Sequence, residues 1–237
     1  MKRLSLMLFA FIITIGFSIA QINIPMPSPT ATLSQDIGLT NVEIEYSRPG
    51  VKGRKIFGDL VPYGEMWRTG ANMSTKINFS DDVMINNETV PAGKYALYTI
   101  PKDDAWTIII HKNITHGGTG GENYREDEDL MRFVAKTQKQ SEKVETFTID
   151  IENNKMDRSD ITLAWENTKV AFTVVAQVKE QIEDSIKSTL NPSGGQYYQA
   201  ANYYHESDQL DNALKHINIS MEKYGESERN AYWAARR

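Results

Sequence analysis

The chain of 237 residues contains no cysteine. That excludes disulfide staples, thiolate nucleophiles, cysteine zinc sites and lipid attachment at a mature N-terminal cysteine. Stability must come from a packed core, and a hydrophobic content of 40% is enough for one at this length. Long apolar runs are scarce as well. The one present, Leu4 to Ile19, falls short of the roughly 20 residues that a membrane-spanning helix needs. It follows Met1-Lys2-Arg3 and ends at Ser18-Ile19-Ala20, the order of a secretory signal peptide cleaved after Ala20. Without residues 1–20 the chain keeps 24 basic against 31 acidic residues, a net charge of −7. No basic run interleaved with aromatics occurs, so nucleic acid is excluded as a partner. A P-loop, a Gly-x-Ser-x-Gly elbow and a His-Glu-x-x-His helix are also missing, which leaves nucleotidase, serine hydrolase and metalloprotease readings without support.

What is there, from Ala31 to about Val178, is mostly of period two, the mark of half-buried strands. Val42, Ile44 and Tyr46 alternate with Glu43 and Glu45; Phe147, Ile149 and Ile151 alternate with Thr148 and Asp150. Ile161, Leu163 and Trp165, then Val170, Phe172 and Val174 across Glu166-Asn167-Thr168, read as a hairpin. Tyr95 to Ile100 and Trp106 to Ile110 are apolar throughout, as strands covered on both faces are. With Thr30–Ser34, Ile77–Phe79 and Val83–Ile85 the count is eight or nine short strands. The expected fold class is mainly β, an antiparallel β-sandwich or barrel-like domain over residues 21–178.

Beyond Val178 the pattern turns helical, over 179–190, 196–206 and 209–224, with a break at Asn191-Pro192-Ser193-Gly194-Gly195. Tyr197, Ala200, Ala201, Tyr204, Leu210, Ala213 and Ile217 occupy the apolar positions of a tetratricopeptide repeat in order, whereas Ser220 and Gly225 stand where that repeat has alanine and proline. Residues 179–237 are therefore expected to hold an α-helical, tetratricopeptide-like hairpin. Such a unit cannot bury its apolar face alone. Either Glu226 to Arg237, with its Ala231-Tyr232-Trp233-Ala234 face, caps the hairpin, or the chain is a truncated piece of a longer protein, the reading preferred here.

The strings Ser28-Pro29-Thr30-Ala31-Thr32-Leu33, Tyr46-Ser47-Arg48-Pro49-Gly50-Val51-Lys52-Gly53-Arg54, Leu60-Val61-Pro62-Tyr63-Gly64 and Trp67-Arg68-Thr69-Gly70-Ala71-Asn72 resemble a bacterial family known as domain of unknown function 2911. Pro91-Ala92-Gly93-Lys94-Tyr95 and Trp165-Glu166-Asn167-Thr168 extend the resemblance over residues 28 to 178. It implies an exported β domain, often followed by tetratricopeptide repeats, and no established activity.

Two glycine-rich stretches, residues 48–73 and 113–131, resist the strand reading, and long loops in a compact domain tend to be functional or disordered. In residues 48–72, Arg48, Arg54, Trp67, Arg68 and Asn72 offer forks for an anion and a flat face for a sugar. The competing reading is structural, with arginines tying loop carbonyls and Trp67 closing one end of the fold. In residues 111–122, His111 and His116, with Glu122 behind them, make a respectable zinc set, yet the spacing matches no established motif, so neither a metal nor any cofactor is expected. Glu122 to Asp129 lacks the spacing of a calcium loop and reads as the start of a short helix.

These readings converge on an exported envelope protein, periplasmic or secreted, that binds rather than catalyses. It would contact a protein partner through its helical tail and a small anionic or carbohydrate ligand through the β domain, without nucleic acid and without a stable membrane anchor. The alternative is a hydrolase or lyase with a polar site drawn from loops 48–72 and 111–122, where Arg68, Asn72, His111 and His116 converge.

Overall fold

The computed structural model describes residues 24–189 and 192–224. The expected leader and the Ala231-Tyr232-Trp233-Ala234 segment lie outside the described residues. Nine strands form one antiparallel sheet: β1 (Thr30–Ile37), β2 (Thr40–Ser47), β3 (Thr75–Phe79), β4 (Val83–Ile85), β5 (Glu88–Val90), β6 (Gly93–Pro101), β7 (Ala105–His111), β8 (Asp129–Glu152) and β9 (Arg158–Ala176). Their order is β1-β2-β3-β6-β7-β8-β9-β4-β5, with β1 and β5 at the two edges, so the sheet does not close into a barrel. Instead it folds over itself like a sandwich. Tyr46 on β2 donates its hydroxyl to the carbonyl of Ile149 on β8 (3.2 Å) and accepts from the same residue's N–H (3.1 Å), although several strands separate β2 from β8 in the sheet order.

The folded-over inner face encloses one core. Val42, Ile44, Leu97, Trp106, Ile108, Phe147, Leu163 and Trp165 are all buried there, each at an inward-facing position of its strand. Loop 48–73 closes the end of this core, with Val51, Ile56, Phe57, Val61 and Trp67 turned inward. The Trp67 and Trp165 rings stack at 5.7 Å and 15°, with Phe57, Trp106 and Phe147 packed edge-on or tilted around them. On the opposite face of β6 and β7, Ala96, Tyr98 and Ile109 form a second small cluster beneath Met66, Ile100 and Tyr124. This explains why these two strands lack alternation: both faces are covered.

One local expectation is corrected. Residues 161–174 do not turn back on themselves; β9 is a single strand of 19 residues. Trp165 and Val170 both face the core although they lie an odd number of positions apart, because Glu166 adopts a left-handed conformation (φ 54°) and shifts the parity of the strand. The polar Glu166-Asn167-Thr168 is thus a bulge, facing the register shifts of β8 between Lys139 and Thr148.

Three helices follow the sheet, α1 (Val178–Ser188), α2 (Gly194–Glu206) and α3 (Leu210–Tyr224). Ser193 opens α2 through a reciprocal capping box with Gln196, so Gly194 and Gly195 are helical and do not break the chain. The α2–α3 hairpin buries Ala200, Ala201, Tyr204, Ala213 and Ile217. Ser220 donates to the Gly194 carbonyl at 2.8 Å, which gives a polar residue at this small-residue position a partner. Leu210 departs from the expected apolar set and is 58% exposed. Among the described residues no helix is long and apolar enough to cross a membrane.

Candidate functional site

The alternation of β7 puts Trp106, Ile108 and Ile110 into the main core and leaves Thr107, Ile109 and His111 on the other face. A register shift between Ile110 and His111 then pairs His111 with Asp129, the first residue of β8. Bulges of this kind re-aim side chains at strand ends. Here the imidazole Nδ1 comes to 2.7 Å from Asp129 Oδ1. The same oxygen accepts from the Tyr124 hydroxyl at 2.6 Å, while Oδ2 is held by the Arg132 guanidinium, which also reaches Glu126 at 3.1 Å. Tyr124 stacks on the His111 ring at 4.7 Å and 17°. Burial, followed by the hydrogen bond to Asp129, pushes the Tyr124 phenol well above its ordinary range, so it remains a donor.

With Nδ1 engaged by a carboxylate, the free lone pair of His111 is on Nε2. This atom is fully buried and has no hydrogen-bond partner. Glu128 Oε2 stands 3.6 Å away, too far for a hydrogen bond. His116 lies beside it, with ring centroids 5.5 Å apart, is 8% exposed and leaves its own Nδ1 buried and unpartnered. Buried polar atoms without partners are uncommon and call for an explanation.

The loop between β7 and β8 builds the rest. Asn113 accepts from the backbone N–H and hydroxyl of Thr115 through Oδ1 and donates to Glu128 at 3.3 Å, fixing that carboxylate. Gly120 sits at φ 81°, and a Cβ there would come 2.8 Å from His116 Nδ1, so both conformation and space require glycine. Where a short helix was expected, two 3-10 turns, Gly121–Asn123 and Glu126–Glu128, carry the chain into β8. A cavity of 390 Å³ opens beside them, lined by His116, Glu128, Arg125, Asn113, Thr115 and Asn123 together with Gly117 and Gly120.

Of the residues singled out in the sequence, His111, His116 and Arg68 meet at this end. Loop 48–73 and the glycine loop touch through a bridge between Met73 and Gly117, and a Cβ on Gly118 would lie 3.6 Å from the Arg68 guanidinium. Arg68 also donates to the Asn72 carbonyl at 2.9 Å. The other candidates are engaged elsewhere. Arg48 donates to the Phe147 carbonyl and the Thr148 hydroxyl, and Arg54 to the carbonyls of Val51 and Gly50. Asn72 donates to Ser28 and Ser47, and the Trp67 ring lies in the core with its Nε1 on the Gly70 carbonyl. Of the seven candidates only His116 lines the cavity. Glu122 is not part of the histidine cluster; Glu128 takes the place that its proximity in sequence suggested. Asp129, Tyr124 and Arg132 had no sequence signal beyond an acidic run next to a strand.

No curated protein and no solved structure matches the chain. Residues 28–174, which comprise β1 through most of β9 and the whole of the site, match the model of a protein family of unknown function, DUF2911. The match spans more than half of the 237 residues, and the chain belongs to that family.

Proposed function

We propose that this is an exported binding protein whose β domain takes a small ligand in the polar cavity beneath the glycine loop. The observation that supports it most is the pair of buried imidazole nitrogens without partners: His116 Nδ1, on a residue that lines a 390 Å³ cavity, and His111 Nε2, 3.6 Å from the Glu128 carboxylate that also lines it. A fold that only needed to fill this space would place apolar groups there, since orphaned polar atoms destabilise the native state. Arg125 in the wall and Arg68 behind Gly118 favour a ligand with anionic groups. Thermal unfolding against divalent cations, phosphate, short carboxylates and cell-wall sugars tests the reading. A bound ligand well above its dissociation constant raises the midpoint by several degrees. Part of that shift is expected to disappear in Arg125→Ala for an anion; no shift with any compound would sink the proposal.

Export rests on the tripartite residues 1–20, and cleavage after Ala20 is checked by N-terminal sequencing of the protein recovered from the cell envelope. The helical segment is read as tetratricopeptide-like and as the face toward a protein partner. Leu210 and Leu214, one turn apart on α3, support this because they are 58% and 42% exposed. A second reading, a hydrolase or lyase, is favoured by the meeting of the two glycine-rich loops at Met73 and Gly117. Turnover of nitrophenyl ester or phosphate substrates that is abolished in His111→Ala would establish it, and rates equal to buffer would end it.

A further inference from the structure

We propose that the cavity holds a divalent transition-metal ion of the zinc type, ligated by His111 Nε2, a ring nitrogen of His116 and the carboxylate of Glu128; this rests on the reading of the cavity as the binding site. One candidate ligand atom from each of these residues lies within 4.8 Å of the others. Two ligands about 2.0–2.1 Å from a tetrahedral ion stand about 3.3 Å apart. The His111 Nε2 to Glu128 Oε2 separation of 3.6 Å is therefore close to that required by a shared ion and too long for a direct hydrogen bond. In the tautomer that donates Nδ1–H to Asp129, the Nε2 lone pair faces a carboxylate oxygen, and a cation between them removes the conflict.

The surroundings have the form of an outer shell. A metal-binding histidine characteristically donates its second nitrogen to a carboxylate, which fixes its tautomer and raises its basicity. Asp129 is that carboxylate, itself held by Tyr124 and Arg132, and Asn113 does the same for Glu128. Two imidazoles and one carboxylate suit zinc and its neighbours, whereas calcium and magnesium take all-oxygen sets. Three protein ligands leave a fourth position, the pattern of zinc sites that bind water or a further ligand. Because His116 and Glu128 are themselves cavity walls, that position is reached from the cavity, where Arg125 would favour an anion.

Zinc sulfate titrated into the EDTA-treated chain, in competition with a chromogenic chelator and in parallel with thermal unfolding, decides the matter. One ion per chain and a midpoint raised by several degrees are expected. His111→Ala and Glu128→Gln should each abolish the tight site, and Asp129→Asn should weaken it about 10–100-fold. His205→Ala should leave it intact. Should His111→Ala fail to fold, Glu128→Gln, at a partly exposed residue, carries the test. Unchanged zinc affinity in folded Glu128→Gln would overturn the assignment, as would nuclear magnetic resonance spectra showing His111 Nε2 protonated in zinc-saturated buffer. A midpoint raised by phosphate or a carboxylate but not by zinc would overturn the metal while the cavity remained the ligand site; no response to any of them would overturn both.

Discussion

Asp129 does not line the cavity, yet by taking His111 Nδ1 it determines what that ring presents to Glu128, which does. Asp129 Oδ1 takes the His111 ring and the Tyr124 hydroxyl together, so replacing the phenol removes its short bond to Asp129, and the longer one it accepts from Arg132, without touching the imidazole. Tyr124→Phe should lower stability by about 1.5 kcal/mol at neutral pH, measured by urea unfolding. The same variant has a signature at alkaline pH. Burial, and then Asp129, raise the folded-state ionisation of Tyr124 above the value near 10 of an unfolded tyrosine. Stability from this group is full below pH 10 and is lost as the pH climbs from there toward the folded value, because the unfolded chain ionises first. The fall in the urea midpoint between pH 9 and 11 should therefore be shallower in Tyr124→Phe than in the parent. His111 and His116 could be picked out in the sequence as scarce residues near glycines. Glu128 and Asp129 could not, because adjacent acids in an acidic run look like a solvated face until the register of β8 against β7 is known.

Strands with one buried face announced themselves: β2, β3 and the stretch from Phe147 to Ile151 read directly from their alternation. The first half of β8 did not. Met131, Phe133 and Ala135 do point inward, but Val134 between them is 68% exposed and blurs the pattern, and the polar residues from Thr137 to Lys143 look like a loop. The bulge in β9 was hidden for a different reason. A parity change across polar residues is what a hairpin produces, and only pairing with β8 distinguishes the two. Glu166 holds φ 54° without being glycine, a conformation that costs a side chain about 1 kcal/mol or more. Glu166→Gly should therefore stabilise the chain by up to about 1 kcal/mol in chemical denaturation, with glycine's extra unfolded-state entropy offsetting part of the gain. A hairpin turn tolerant of Glu at this site would show no such gain.

At the scale of the molecule, the two faces of β6 and β7 are covered by different parts of the chain. On the inner face Trp106 joins Trp165 of β9 and Trp67 of loop 48–73 in one core, and the outer face carries His111 under the glycine loop. Trp67 is thus a structural residue whose loss should be felt in stability. Trp67→Ala should cost about 3–5 kcal/mol in unfolding free energy and erase much of the near-ultraviolet circular dichroism. Any folded fraction should still bind zinc, because the ring does not reach the cavity. The sandwich-like arrangement could be inferred from the number of strands and their spacing. The folding over of a single sheet could not, since it depends on contacts such as Tyr46 with Ile149, distant in sequence and without a local pattern.

The most direct test of the account is a zinc-edge anomalous difference map from crystals of the zinc-loaded chain. One peak is predicted under the glycine loop, within about 2.3 Å of His111 Nε2, a His116 nitrogen and a Glu128 oxygen. A map with no peak there, or with zinc only at His205 or His216 on the helices, would contradict it.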